Sequence, residues 1–129
     1  MDKKYLPQII ATDNEGLQMI SAFISGGKVK VADIKYLASS KVFLVSIERA
    51  KIETNEDEKK INSILRFDLI SGVKSKNIDQ KNNQLVLELI AIDYLKNKDD
   101  YEINIIFNNN AHIALTTEVI DIRLDNFMK

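Results

Sequence analysis

Residues able to do chemistry are few in this chain, and they are scattered. One histidine, His112, and no cysteine occur among 129 residues. That removes thiol nucleophiles, disulfides, thiolate metal sites and any relay built on several imidazoles. A metal centre would have to be assembled from carboxylates alone. Asp121 with Asp125, and Asp33 with Asp93, offer carboxylate pairs, and two carboxylates in one cleft divide acid and base roles when their surroundings split their pKa values. Their spacing does not force convergence, so they are read as strand-edge or turn residues facing water. His112 follows Asn108–Asn110 and is read as a solvent-facing turn residue. Gly16, Gly26, Gly27 and Gly72 are the only glycines and build neither a dinucleotide fingerprint nor a phosphate loop. The expectation is a non-enzyme, with no catalytic residue, no metal and no cofactor.

The one stretch that invites a binding role is VKSKN, residues 73–77. Lys74 and Lys76 share one side of a strand with Ile78, and Arg66 is nearby in sequence. Together they could form a patch for a phosphate or an acidic partner segment. Lysines on an edge strand also deter wrong strand pairing, and this plainer reading takes precedence. Global charge does not favour a polyanion: eighteen basic residues face nineteen acidic ones, for a net charge of −1. The nine aromatics fall mostly at core-parity positions, with no row alternating with lysine, which argues against single-stranded nucleic acid.

Length and composition describe what must position these residues. A hydrophobic fraction of 45% with 29% charged residues is globular, and 129 residues suit one domain with one core. No apolar run is long enough to cross a bilayer, and the first fifteen residues lack the hydrophobic region of a secretory signal. A soluble, cytoplasmic protein is expected. Fifteen of the eighteen cations are lysine, with isoleucine and asparagine also abundant, the bias of an AT-rich genome; Asn108–Asn110 is read as that bias plus a turn.

TDNEGLQMISAFISGG predicts a helix over about 13–25. Thr12 and Glu15 have capping-box spacing, Leu17, Ile20 and Ile24 form an apolar stripe widened by Met19 and Phe23, and Gly26-Gly27 supply a left-handed stop. From Lys28 the apolar period becomes two, the mark of half-buried strands. Strands are expected across 28–37, 43–47, 65–70, 73–78, 85–95, 101–107 and 112–124, with Gly72 at a turn or bulge. Residues 51–62, in which seven of twelve are charged, read as a solvated loop or a short frayed helix.

VKVADIKYL (29–37) is echoed fifty-eight positions later by LELIAIDYL (87–95), and the match continues through Phe43/Tyr101, Val45/Ile103 and Ile47/Ile105. After the charged segment the offset falls to forty-six, aligning Phe67/Ile113, Val73/Val119 and Ile78/Leu124. Two tandem three-stranded units, 28–79 and 84–125, would explain this, as would chance agreement of two amphipathic meanders. Such units must bury their apolar faces against each other or under the helix. The expected fold is α+β, mainly β: one N-terminal helix on a strongly curved antiparallel sheet or small barrel of about six to eight strands.

The order of these pieces resembles the DUF2948 family, an uncharacterised group of small proteins found mainly in alphaproteobacteria. The resemblance runs from Ile9 to Leu124 and rests on IIATDNEGLQMISAFISGGKVKVADIKYL, FLVSIER, LRFDLISGVKSKNID and HIALTTEVIDIRLDN. It departs from the family at Ala50, where an aromatic is usual after the strand-ending arginine. The resemblance implies no activity, cofactor or site residues. Three functions stay open: a non-catalytic module binding a protein partner through a sheet edge or the helix-covered face, with a homo-oligomer possible; a barrel binding a small ligand or anion; and, least favoured, a nucleic-acid binder.

Overall fold

The computed structural model describes residues 8–51 and 59–128. Ten strands and one α-helix follow in the order β1 (Ile9–Ala11), α1 (Asn14–Ile24), β2 (Lys28–Lys30), a 3-10 turn (Val31–Asp33), β3 (Ile34–Leu37), β4 (Val42–Lys51), β5 (Lys59–Phe67), β6 (Ile70–Lys76), β7 (Val86–Lys96), β8 (Tyr101–Phe107), β9 (His112–Thr117) and β10 (Ile122–Met128). All strand pairs are antiparallel, so the chain is mainly β, as the period of two implies.

The count exceeds six to eight because one strand is added and two expected runs are each split in two. Ile9–Ala11 pairs with Leu124, Arg123 and Ile122 instead of merely leading into the helix. The 3-10 turn splits 28–37, and residues 118–121 separate β9 from β10. The flanks of the charged segment are also strand: Lys51 stands opposite Lys59 and Ala50 opposite Lys60. Its centre, 52–58, lies outside the described residues.

Helix α1 starts one residue later than the capping box suggests. Asp13, not Thr12, is the cap, its Oδ1 accepting from the Gly16 N–H at 2.8 Å; a carboxylate at a helix N-terminus also meets the dipole favourably. The stop is as expected: Gly26 takes φ +87°. Gly27 is needed for a different reason, since a Cβ there would collide with the Ile47 side chain. Leu17, Ile20 and Ile24 are buried, whereas Met19 and Phe23 face out and do not widen the stripe.

The sheet runs β1-β10-β5-β4-β2-β7-β8-β9-β6, with β3 also pairing β4. The echoing stretches lie side by side at their starts, Val29 opposite Leu87, and then diverge, β3 to β4 and β7 to β8. Alternate residues of five strands turn inward: Phe43, Val45 and Ile47 from β4, Leu65 and Phe67 from β5, Ile103, Ile105 and Phe107 from β8, Ile113 and Leu115 from β9, and Ile122 and Leu124 from β10 share one core with Leu87, Leu89 and Ile92 of β7, whose alternation is reset by a bulge between Leu89 and Ala91. The sheet does not close into a barrel. β1 pairs only with β10 and β6 only with β9 among the described residues, so the two ends of the sheet do not pair with each other.

On one side, α1 covers the open flank. It packs on β7 and β1, and Ser21 Oγ accepts from the Ile92 N–H of β7 at 2.9 Å. Arg49, at the end of β4, pins the helix C-terminus: Nη1 donates to the Phe23 carbonyl at 3.0 Å, and the guanidinium sits 4.3 Å from the centre of the Phe23 ring. No helix among the described residues is long and apolar enough to cross a membrane.

Candidate functional site

On another side the fold is left open. Among the described residues, β3 has a strand partner on one edge only, and so does β6. These two strands approach each other at one end, where the Ile70 N–H donates to the Lys41 carbonyl at 2.8 Å and Tyr36 Oη donates to the Ile70 carbonyl at 2.7 Å. Beyond this point lies a slot of about 350 Å³, with Phe43 and Ile113 in its wall together with Ile34, Tyr36, Val73 and Ile78. The last four are only half-buried although they pack on the core. Ser75, Gln80 and Asn83 also line it, and Gln80 Nε2 donates to Ser75 Oγ at 2.7 Å. The lining combines apolar side chains with a comparable share of polar surface from Ser75, Gln80, Asn83 and the main chain, a mixture that binding pockets use for affinity and orientation.

The outer face of β7, β8, β9 and β6 is the second feature. Lys74 and Lys76 lie there, exposed, on the last strand of the sheet, as the edge reading requires. Arg66 is not brought to them: it sits in β5, between β4 and β10. Its guanidinium grips Asp68 through Nε–Oδ1 at 3.0 Å and Nη2–Oδ1 at 2.9 Å. The hydrogen bond to Asp68 and then its charge raise the Arg66 pKa above the ordinary arginine value.

His112 differs from its expected role. It opens β9 half-buried, with Nε2 2.7 Å from Asn104 Oδ1, so it belongs to a polar cluster on the sheet and not to a solvated turn. Of the carboxylate pairs, Asp121 and Asp125 are both near enough to Arg66 to act on its charge, and each also has a polar neighbour of its own. Asp33 ends the 3-10 turn and Asp93 lies on β7. Asp121 is 3.9 Å from Arg123, and Asp125 accepts from Gln8 at 2.7 Å. No three His, Cys, Asp or Glu side chains among the described residues are placed to hold a metal ion.

A buried polar cluster went unnoticed in the sequence. Ser63 and Asn126, both almost fully buried, share a 2.6 Å hydrogen bond, and Arg49 Nη2 donates to the same Asn126 oxygen at 3.3 Å. Partial burial lowers the Arg49 pKa, and its bonds to the Phe23 carbonyl and Asn126 tie α1 to β4 and β10. Its signal was slight: a polar residue at core parity in each of two strands, sixty-three positions apart.

No curated protein and no solved structure matches the chain. A family model described as a protein of unknown function does match, over residues 8–129, nearly the whole length. The chain therefore belongs to the DUF2948 family.

Proposed function

We propose that this chain is a non-catalytic interaction module that takes an extended segment of a partner protein into the seam between β3 and β6. One observation carries the reading: two strand edges without strand partners among the described residues flank a slot into which Ile34, Tyr36, Val73 and Ile78 turn half-buried side chains. An inserted strand would satisfy the edges through main-chain hydrogen bonds while its alternate side chains fill the slot, which is the logic of strand addition. The edge lysines fit the same reading, since they discourage casual pairing along β6.

A small apolar ligand is the second reading, because about 350 Å³ lies within the ~300–1,000 Å³ of small-molecule pockets. The test is selection from a displayed library of unstructured peptides, repeated on Ile34→Glu and Val73→Glu variants whose fold is checked by circular dichroism. Peptides of alternating apolar pattern that bind the wild type and lose both variants support strand capture. Binders indifferent to both variants refute it. Native mass spectrometry showing a small molecule retained by the wild type and lost by the variants selects the second reading.

We also propose that the fold consists of two tandem three-stranded units, each sending its next strand into the other's sheet. Two features support this: Val29 pairs directly with its echo Leu87, and β10 joins β5 while β6 joins β9. The pairs Leu65–Leu124 and Leu115–Val73 are then equivalent, matching Val73 to Leu124 and not to Val119. Superposing residues 28–76 on 86–128 tests the idea; equivalent strands running in opposed directions would end it.

A further inference from the structure

We infer that the outer face of β7, β8, β9 and β6 binds a second copy of this chain, face to face, about a two-fold axis running along the strands between β8 and β9. The inference is independent of the seam. Strand register arranges this face in three rows. The middle row reads Asp93, Asn104, Ala114, Lys74; one flanking row reads Ala91, Ile106, His112, Lys76; the other reads Leu95, Glu102, Thr116, Gly72. Helix α1 meets β7 through a main-chain contact, the Ile92 N–H donating to Ser21 Oγ, and the face keeps Leu95 59% and Ile90 47% exposed.

Two-fold rotation about that axis sets each row against itself in reverse. Asp93 then faces Lys74 of the second copy, twice by symmetry, so the one exposed acid and the one exposed base of the middle row meet. The rest of the face is equally self-complementary in size: Leu95 comes over Gly72, Asn104 over Ala114, and Ala91 over the stem of Lys76. Ile106 meets the imidazole of His112, and Glu102 meets the Thr116 hydroxyl. Such self-complementarity is what an isologous interface requires, and rotation about the strand direction keeps the strands of the two copies nearly aligned, the usual geometry for stacked sheets. The charges fix orientation and register, while the small central residues let the faces approach.

Sedimentation equilibrium on the full chain tests this over a range of concentrations. The wild type should show a monomer–dimer equilibrium that weakens with added salt. Lys74→Glu alone and Asp93→Lys alone should each weaken self-association ~tenfold or more, since each places like charges together at two symmetric points. An equimolar mixture of the two should recover dimers, because one copy's new glutamate then meets the other's new lysine while the native Asp93–Lys74 pair re-forms on the far side. Ala114→Arg, beside the axis, should abolish dimers without restoring them in any mixture. A wild type monomeric at every concentration overturns the inference, as do single variants that associate like the wild type or a mixture no better than its components.

Discussion

Truncating Ile20 to alanine probes how the helix is held. Ile20 is 0% exposed, in the middle of the Leu17/Ile20/Ile24 stripe. Losing three buried carbons costs ~2.4 kcal/mol at ~0.8 kcal/mol each. The cavity left between α1 and β7 adds ~1–2 kcal/mol, at ~24 cal/mol per Å³ of unrelaxed volume. The expected loss is therefore ~3–4 kcal/mol, read as a lower midpoint in a urea melt with the slope unchanged. Met19→Ala is the matched control: Met19 is 56% exposed on the same helix, and its truncation should change stability by less than ~0.5 kcal/mol. A loss below ~1 kcal/mol for Ile20→Ala, or equal losses for the two variants, would refute the placement of α1 as the cover of the β1–β7 flank.

The two glycines after the helix should separate by cause. Gly26→Ala meets open space but keeps φ +87°, costing ~1 kcal/mol for the left-handed backbone; Gly27→Ala drives a methyl group into Ile47 and should cost ~1–3 kcal/mol for overpacking, so the second loss should exceed the first in the same melts. Arg49→Ala removes charge-assisted bonds to the Phe23 carbonyl and Asn126 and should cost about 2 kcal/mol, with faster amide exchange in the last turn of α1 as its local signature. The Arg66 pKa is raised, so whatever its exposed pair with Asp68 contributes is fully present below arginine's unfolded value and is lost only as pH rises through the higher folded one; Arg66→Ala should accordingly leave the shape of the stability–pH profile unchanged through the neutral range.

Elements with a sustained period were legible from residues alone. The helix stripe and the alternation of Phe43, Val45 and Ile47 in β4 and of Ile103, Ile105 and Phe107 in β8 each point one face inward, and all of these residues are buried; in β7 a bulge after Leu89 resets the period. Elements defined by a partner were not. Three residues, Ile9–Ala11, become a strand only because β10 lies beside them. The ends of the charged segment alternate poorly, yet Lys51 and Lys59 pair because β4 and β5 run on as a hairpin. The cap moved from Thr12 to Asp13 because both fit the first turn and only geometry selects between them. The slot was the least legible feature, since its lining is gathered from β3, β4, β6, β9 and the 77–85 connection. Lys74 and Lys76 stood out in the sequence and do lie on an edge strand, but Arg66 was nearby only along the chain.

The seam is tested most directly by amide hydrogen exchange, measured residue by residue on the wild-type chain with and without the tightest peptide from the displayed library. Bound peptide should slow exchange within Ile34–Leu37 of β3 and Ile70–Lys76 of β6, as new main-chain hydrogen bonds form along both edges, while α1 and the outer-facing cluster around His112 stay unchanged. Protection confined to α1 or to the outer face of β7, β8 and β9, with β3 and β6 exchanging as before, would contradict it.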